Sequence, residues 1–261
     1  MNVHFVKTKR GVTFLILLLS FACFGQKRAD KDSINIKGPT NIRFQYKSLI
    51  VPSVLIGYGL LATESHTLID FNGEIKEEVN EHIDEKFTMD DISQYAPALA
   101  VYGLNMADIK GRNTLRDRTV ILGTAYLIMG SSVTGLKAIT RVERPDGTSR
   151  NSFPSGHTAT AFMGAEFLYQ EYKDVSVWYG MAGYAVAVGT GFFRIYNDRH
   201  WFSDVVAGAG IGILSTKIAY WVHPFINKKL FPNHVKEPKY EKAFASFYNG
   251  REAGVGAVIR F

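Results

Sequence analysis

Three short stretches between residues 137 and 204 bring cations, histidines and a carboxylate into spacings that could do chemistry. In the first, Lys137 and Arg144 stand seven apart, two helical turns, so both would project from one face near a helix end that Pro145 closes. In the second, Pro154, Ser155, Gly156 and His157 lead directly into an apolar helical run. Gly156 permits close backbone approach, and the N–H groups of Ser155, Gly156 and His157 can face an anion at a helix N-terminus. In the third, Arg194 precedes His200, and Asp204 follows His200 by four. On a helical turn that carboxylate reaches one ring nitrogen, fixes the tautomer and leaves the other nitrogen free as a nucleophile. Taken singly, each stretch has an ordinary explanation: cations serving a helix dipole, a serine cap before a surface histidine, a structural His–Asp hydrogen bond.

Taken together they point to phosphoryl transfer. The 36 residues between His157 and Arg194 hold two helices of bundle length, so the chain can leave and return to the same end. Three cations, a helix N-terminus, two histidines and one aspartate would then gather in one place. Lys137, Arg144 and Arg194 would neutralise the equatorial oxygens, where a loose phosphoryl transition state carries its charge. One histidine would attack phosphorus and the other would protonate the leaving oxygen.

Lys137 to Arg144-Pro145, the run Pro154 to His157, and Arg194 through His200 to Asp204 resemble the signature of the type-2 phosphatidic-acid phosphatase and vanadium haloperoxidase superfamily. The resemblance covers roughly residues 48–222. It implies that His200 is the nucleophile, Asp204 orients it and His157 is the general acid and base. Lys137, Arg144, Ser155, Gly156 and Arg194 would hold the phosphate, with no metal and no cofactor in the phosphatases. The chain departs from the pattern at Phe193, where the family usually has a serine before the third-stretch arginine. A hydroxyl that could support the phosphate oxygens is missing, so rate or specificity would differ, while every charged member is in place.

The rest of the chain must position these groups. Six apolar stretches, near 48–63, 92–107, 119–138, 157–170, 175–193 and 203–222, predict an all-α fold, a six-helix bundle of the type the resemblance implies, within a domain over 48–225. Between the first two lies an acidic segment, 64–94, in which Ile75, Val79, Ile83 and Phe87 form one apolar stripe. It reads either as a solvated surface helix or as a lid or membrane-surface helix beside the site. Residues 1–25 read as an export signal or retained N-terminal anchor, with Cys23, the only cysteine, inside it, and 26–47 as a polar linker. In the tail, 226–261, Asn249-Gly250 separates two alternating segments, the pattern of a β-hairpin.

Composition limits the function. A net charge of +6 without a long basic run or motif gives no support to nucleic-acid binding. Gly-rich apolar helices favour a lipid phosphatase, membrane-associated in a Gram-negative envelope, acting on lipid A, phosphatidate, phosphatidylglycerophosphate or undecaprenyl diphosphate. Charges such as Glu166 and Glu171 inside an apolar run favour instead a soluble periplasmic acid phosphatase. A haloperoxidase and a non-enzymatic binding protein rank below both, because those peroxidases are longer and a degenerate member should have lost charged residues. Lys110, Arg112, Arg116 and Arg118 crowd the end away from the three stretches, which turns the site out of the cytoplasm. Six spanning helices would then put residue 47 inside, whereas a cleaved signal would put it outside. The apolar runs are also short against the roughly 20 residues that a span needs.

Overall fold

The structure, a computed structural model, describes residues 45–80, 88–231, 241–248 and 253–260. The expected export segment, nearly all of the linker, the stripe residues Ile83 and Phe87 and the Asn249-Gly250 turn lie outside the described residues. Residues up to Trp221 form one compact unit, and those from Val222 form a second. After a 3-10 turn at Tyr46–Leu49 come α1 (Ile50–Leu61), α2 (His66–Asn80), α3 (Asp90–Ser93), α4 (Ala96–Met106), α5 (Leu115–Thr140), α6 (Gly156–Tyr172), α7 (Val177–Tyr196) and α8 (Phe202–Leu230). Each of the six apolar stretches carries one helix. The acidic segment supplies two more, so the described residues hold eight α-helices rather than six.

Local chemistry sets the helix starts. Thr114 caps α5 by accepting from Asp117 N–H (3.2 Å) while its own hydroxyl donates to the Asp117 carboxylate (2.8 Å). Ser155 caps α6 by accepting from Thr158 N–H, and Ser176 caps α7 by accepting from Trp178 N–H. Helix α6 is the hub of the first unit. Ala159, Ala161, Met163, Ala165 and Phe167 on it are fully buried, and Val101, Ile121, Ala125, Met129 and Val133 of α4 and α5 pack around it.

Glycines let α8 approach α6 closely. A Cβ on Gly208 would come within 2.5 Å of the Ser155 carbonyl oxygen, and one on Gly212 within 2.8 Å of Met163 N. Small residues are therefore required along this seam, where backbone meets backbone.

Ionisable groups lie inside this unit, Glu166 and Glu171 among them. Glu166, 2% exposed, accepts from Lys217 Nζ and Gln170 Nε2 (2.7 Å each) and from the Tyr184 hydroxyl. Glu171, 1% exposed, accepts from Tyr220 (2.6 Å) and Asn113, with Arg118 Nε at 3.8 Å. These two carboxylates are partnered in the interior, so they do not favour a water-soluble surface as their sequence positions suggested. Arg118 is likewise interior, which removes it from the exposed positive charge at that end. Large apolar side chains such as Leu127, Ile139, Trp178 and Val188 are exposed instead. Two helices, Leu115–Thr140 and Phe202–Leu230, are long and apolar enough to cross a membrane; a third span exists if the pair Tyr46–Leu61 and His66–Val79, bent by 95°, counts as one.

The second unit contains the last turns of α8 and two strands, β1 (Glu241–Tyr248) and β2 (Ala253–Arg260). They pair antiparallel, with Glu241 opposite Arg260 and Tyr248 opposite Ala253.

The α6–α8 seam leads to a stability prediction. Gly212→Val forces a branched side chain into backbone and should destabilise by about 1–3 kcal/mol, as overpacking does. Gly130→Ala, whose Cβ meets nothing within 4 Å, should be neutral or slightly stabilising. Thermal unfolding of both variants in detergent checks this, and equal melting temperatures would contradict the packing described.

Candidate active site

Lys137 lies in the last turn of α5, but Arg144 does not share its helical face. The helix stops at Thr140, where Arg141 adopts the left-handed conformation (φ 49°) and closes the end through its N–H to Lys137 O. The terminator is therefore that left-handed cap and not Pro145. Arg144 sits in the following loop, which folds back through Ser152 N–H to Val142 O (2.9 Å) and Arg144 N–H to Ser149 O (3.0 Å). The two cations meet over the end of this loop. Lys137 Nζ donates to the carbonyls of Asn151 and Ser152, and Arg144 Nε donates to Asn151 Oδ1 (3.0 Å).

His200 precedes α8, and Asp204 lies in that helix's first turn. Both are almost fully buried. His200 Nδ1 is 3.5 Å from Asp204 Oδ2, so it carries the proton and Nε2 keeps its lone pair. The same carboxylate oxygen accepts from the Ser152 hydroxyl and from Trp201 N–H (2.9 Å), and Ser152 Oγ also lies 3.4 Å from His200 Nδ1. Ser155 N–H donates to the Asp204 carbonyl (3.0 Å), which ties the start of α6 to the start of α8. With its hydroxyl on Thr158 and its side chain fully buried, Ser155 serves this tie and the helix cap and does not face an anion as its sequence position suggested. Burial, reinforced by the nearby Lys137 and Arg194 charges, pushes the His200 imidazole down to about 4 although Asp204 pulls it up. At neutral pH it is uncharged, the form a nucleophile needs.

Gly156 and His157 open α6 beside Ser155, and a Cβ on Gly156 would touch only Val133, at 3.7 Å. His157 Nε2 donates to Asp91 Oδ1 (2.9 Å). Arg194, in the last turn of α7, is buried and donates through Nη1 to Asp90, which also accepts from Asn197 Nδ2 (3.2 Å). Asp91 Oδ1 is 3.8 Å from the same guanidinium nitrogen. Arg194 Nε is buried with no hydrogen-bond partner among the described residues. Such an orphaned charged donor is costly without an acceptor, and a phosphate oxygen would supply one. Thr88, Asp90, Asp91, Arg194, Asn197 and Arg199 line a cavity of about 130 Å³ here. Asp90, Asp91 and His157 bring three metal-capable atoms within 4.8 Å of one another. Arg194 already pairs with Asp90 and lies 3.8 Å from Asp91, so a divalent ion there would meet a guanidinium directly.

The acidic segment is therefore part of the site and not a solvated outlier. Asn72 of α2 is buried and makes a two-way bond with Ser203: its Nδ2 donates to Ser203 Oγ (2.9 Å) and Ser203 N–H donates to its Oδ1 (3.1 Å). Lys76 Nζ donates to Pro145 O (3.0 Å) and lies 5.7 Å from the Trp201 ring centre. Asp70, Glu74, Glu77 and Glu78 face solvent. Sequence reasoning passed over Asp90 and Asp91 because an acidic run reads as surface, and over Ser152 because its loop looked like a mere connection. Phe193 packs against Phe192 and Tyr196, with centroids 5.9 and 6.0 Å away.

Residues 118–228 match the PAP2 superfamily. A curated relative, the lipid A 1-phosphatase of Porphyromonas gingivalis, is 43% identical over 141 residues, which cover 53% of this chain and 31% of that protein. The bacitracin transport permease protein BcrC of Bacillus licheniformis is 34% identical over 83 residues, 31% of this chain and 39% of that one. The chain thus spans about a third of the length of these curated relatives. Among solved structures, Aquifex aeolicus LpxE has a TM-score of 0.43 at 23% identity, covering 57% of this chain and 94% of its own. A PAP2-type phosphatidylglycerolphosphate phosphatase from Bacillus subtilis has a TM-score of 0.42 at 18% identity, covering 72% and 99%. The PAP2 match spans Lys137, Arg144, Ser155, Gly156, His157, Arg194, His200 and Asp204.

Two predictions follow from the buried pair. Ser152→Ala removes one charge-assisted donor from Asp204 and should slow any reaction that depends on His200 by about tenfold, one such bond's worth. An unchanged rate would remove Ser152 from the site. The second concerns acid. The folded imidazole titrates at about 4, against roughly 6.5 when unfolded. The unfolded chain therefore binds more protons between these values, so stability falls as pH drops through that window. Denaturant melts from pH 7 to 4 should show the fall, and His200→Asn should flatten it.

Proposed function

We propose that the protein is a phosphatase that removes phosphate from an envelope lipid through a phosphohistidine at His200. The observation that carries this reading is the buried His200–Asp204–Ser152 cluster, set at one end of a PAP2 domain beside Lys137, Arg144 and Arg194. His200 Nε2 attacks phosphorus in line and forms the P–N bond as the P–O bond to the leaving group breaks. Lys137, Arg144, Arg194 and the N–H groups of Gly156 and His157 hold the non-bridging oxygens, where charge concentrates. His157 gives the leaving oxygen its proton, then takes one from the water that attacks the phosphohistidine and releases phosphate.

The relative named a lipid A 1-phosphatase supports lipid A as the first substrate to try. Exposed apolar side chains on α5 and α7, together with helices long enough to cross a bilayer, support a lipid over a soluble ester. Lys110 remains exposed at the end away from the site, and the exposed acids of α2 lie near the site, in keeping with a site that faces the periplasm. The fold we assign is the six-helix bundle of this superfamily, α1 and α4 to α8, with α2 and α3 as additions over its active end.

Phosphate release decides the matter. Purified full-length protein should release phosphate from lipid A or another envelope phospholipid faster than from glycerol phosphate, in the presence of EDTA, with inhibition by vanadate. His200→Ala should abolish release from every substrate. Turnover by His200→Ala would refute the phosphohistidine route, dependence on a restored divalent ion would refute the metal-free one, and preference for small esters would favour a soluble-type acid phosphatase.

A further inference from the structure

His157 has a partner that its motif does not announce. Its Nε2 donates to Asp91 Oδ1 at 2.9 Å across 66 residues of sequence. Asp91 is 60% exposed by its side chain, yet its position is not left to chance. The preceding residue, Asp90, is buried against Arg194 and Asn197, and Ser93 Oγ meets Thr190 Oγ1 at 2.8 Å. Helix α3 is thus pinned to α7 on both sides of Asp91, and the carboxylate projects over the first turn of α6.

The charge around His157 argues for a purpose. Burial, and then the Arg194 guanidinium, hold the His157 imidazole below the usual histidine range and so disfavour the protonated form that a general acid must have. The opposing groups are Asp91, by hydrogen bond and by charge, and Asp90 behind it. Arg194 from α7 and the two aspartates from α3 are the charged groups that bear on the ring.

We propose that Asp91 is a positioning residue for His157: it holds Nε2–H and turns Nδ1 towards the leaving oxygen, as Asp204 orients His200 through the opposite nitrogen. This deepens the phosphatase reading and rests on it. In the first half-reaction the Nδ1 proton passes to the departing alkoxide as P–O breaks and the bond to His200 forms. In the second, neutral Nδ1 takes a proton from the attacking water as the P–N bond breaks, and the Asp91 pair is restored.

The test compares two leaving groups and one titration in the full-length protein in detergent. Asp91→Asn should lower kcat on an alkyl phosphate such as glycerol phosphate by about tenfold or more, with KM little changed, since acid catalysis contributes on the order of 100-fold or above. The loss on nitrophenyl phosphate, whose leaving group departs without a proton, should be much smaller. Asp91→Glu should recover part of the alkyl activity, and Asp91→Asn should add nothing further in a His157→Ala background. By NMR, the half-protonation pH of His157 should fall by roughly one or more in Asp91→Asn. Equal losses on both esters would reduce Asp91 to a structural role. Alkyl turnover equal to or above wild type would make it a carboxylate that merely fills the leaving-group position, and an unmoved titration would also overturn the pairing. Failure of the phosphatase reading is separate, because it appears as wild-type inactivity or as turnover by His200→Ala, and the NMR arm still decides the pair.

Discussion

A single buried carboxylate organises the end of the domain where the chemistry gathers. Asp204 accepts on one oxygen from the Ser152 hydroxyl, the Trp201 N–H and the His200 ring, and its backbone carbonyl takes the Ser155 N–H. An ionised carboxylate in so dry a place is strongly unfavourable unless its lone pairs are taken up. Satisfying it requires the loop after α5, the cap of α6 and the turn before α8 to meet at one point. The three sequence clusters converge because this one group has to be solvated by protein.

Around that point each cation is tethered. Arg194 is held by Asp90, Lys137 leans on backbone carbonyls, and Arg144 leans on Asn151. Guanidinium and ammonium groups tethered in this way keep their charge in place without needing a bound anion to order them. Such preorganisation lets a site stabilise developing negative charge without rearranging as it forms. The segment carrying Asp90 and Asp91 belongs to this tethering as much as the motif residues do.

The motif residues and the apolar helices were legible in the sequence because both are written locally: a fixed spacing, or an unbroken run. Helices α1 and α4 to α8 each coincide with such a run. The contact of Lys137 with Arg144 was read for the wrong reason. Spacing by seven suggests a shared face, but whether a helix continues past Thr140 depends on the conformation of Arg141. Asp91, Asp90 and Ser152 were not legible because their roles exist only across 66, 104 and 52 residues of sequence. The burial of Glu166 and Glu171 was hidden for a related reason. A charge in an apolar run looks like a solvent signal until its partners, Lys217 and Tyr220, are brought beside it from α8.

That Glu166–Lys217 pair acts as an index pin between two sliding rods. Glycines such as Gly208 and Gly212 leave the α6–α8 seam smooth, and smooth surfaces in close contact hold axial position poorly. A slip of one residue moves a helix by about 1.5 Å and rotates it by roughly 100°, which would carry Lys217 away and leave the buried Glu166 without its counter-charge. The penalty for that error is paid some ten residues along the helix, roughly 15 Å, from the cap at Ser155. The same helices hold Ser155 and Asp204 at their other ends, so a lock placed deep in the core sets the alignment of the Ser155–Asp204 contact at the rim.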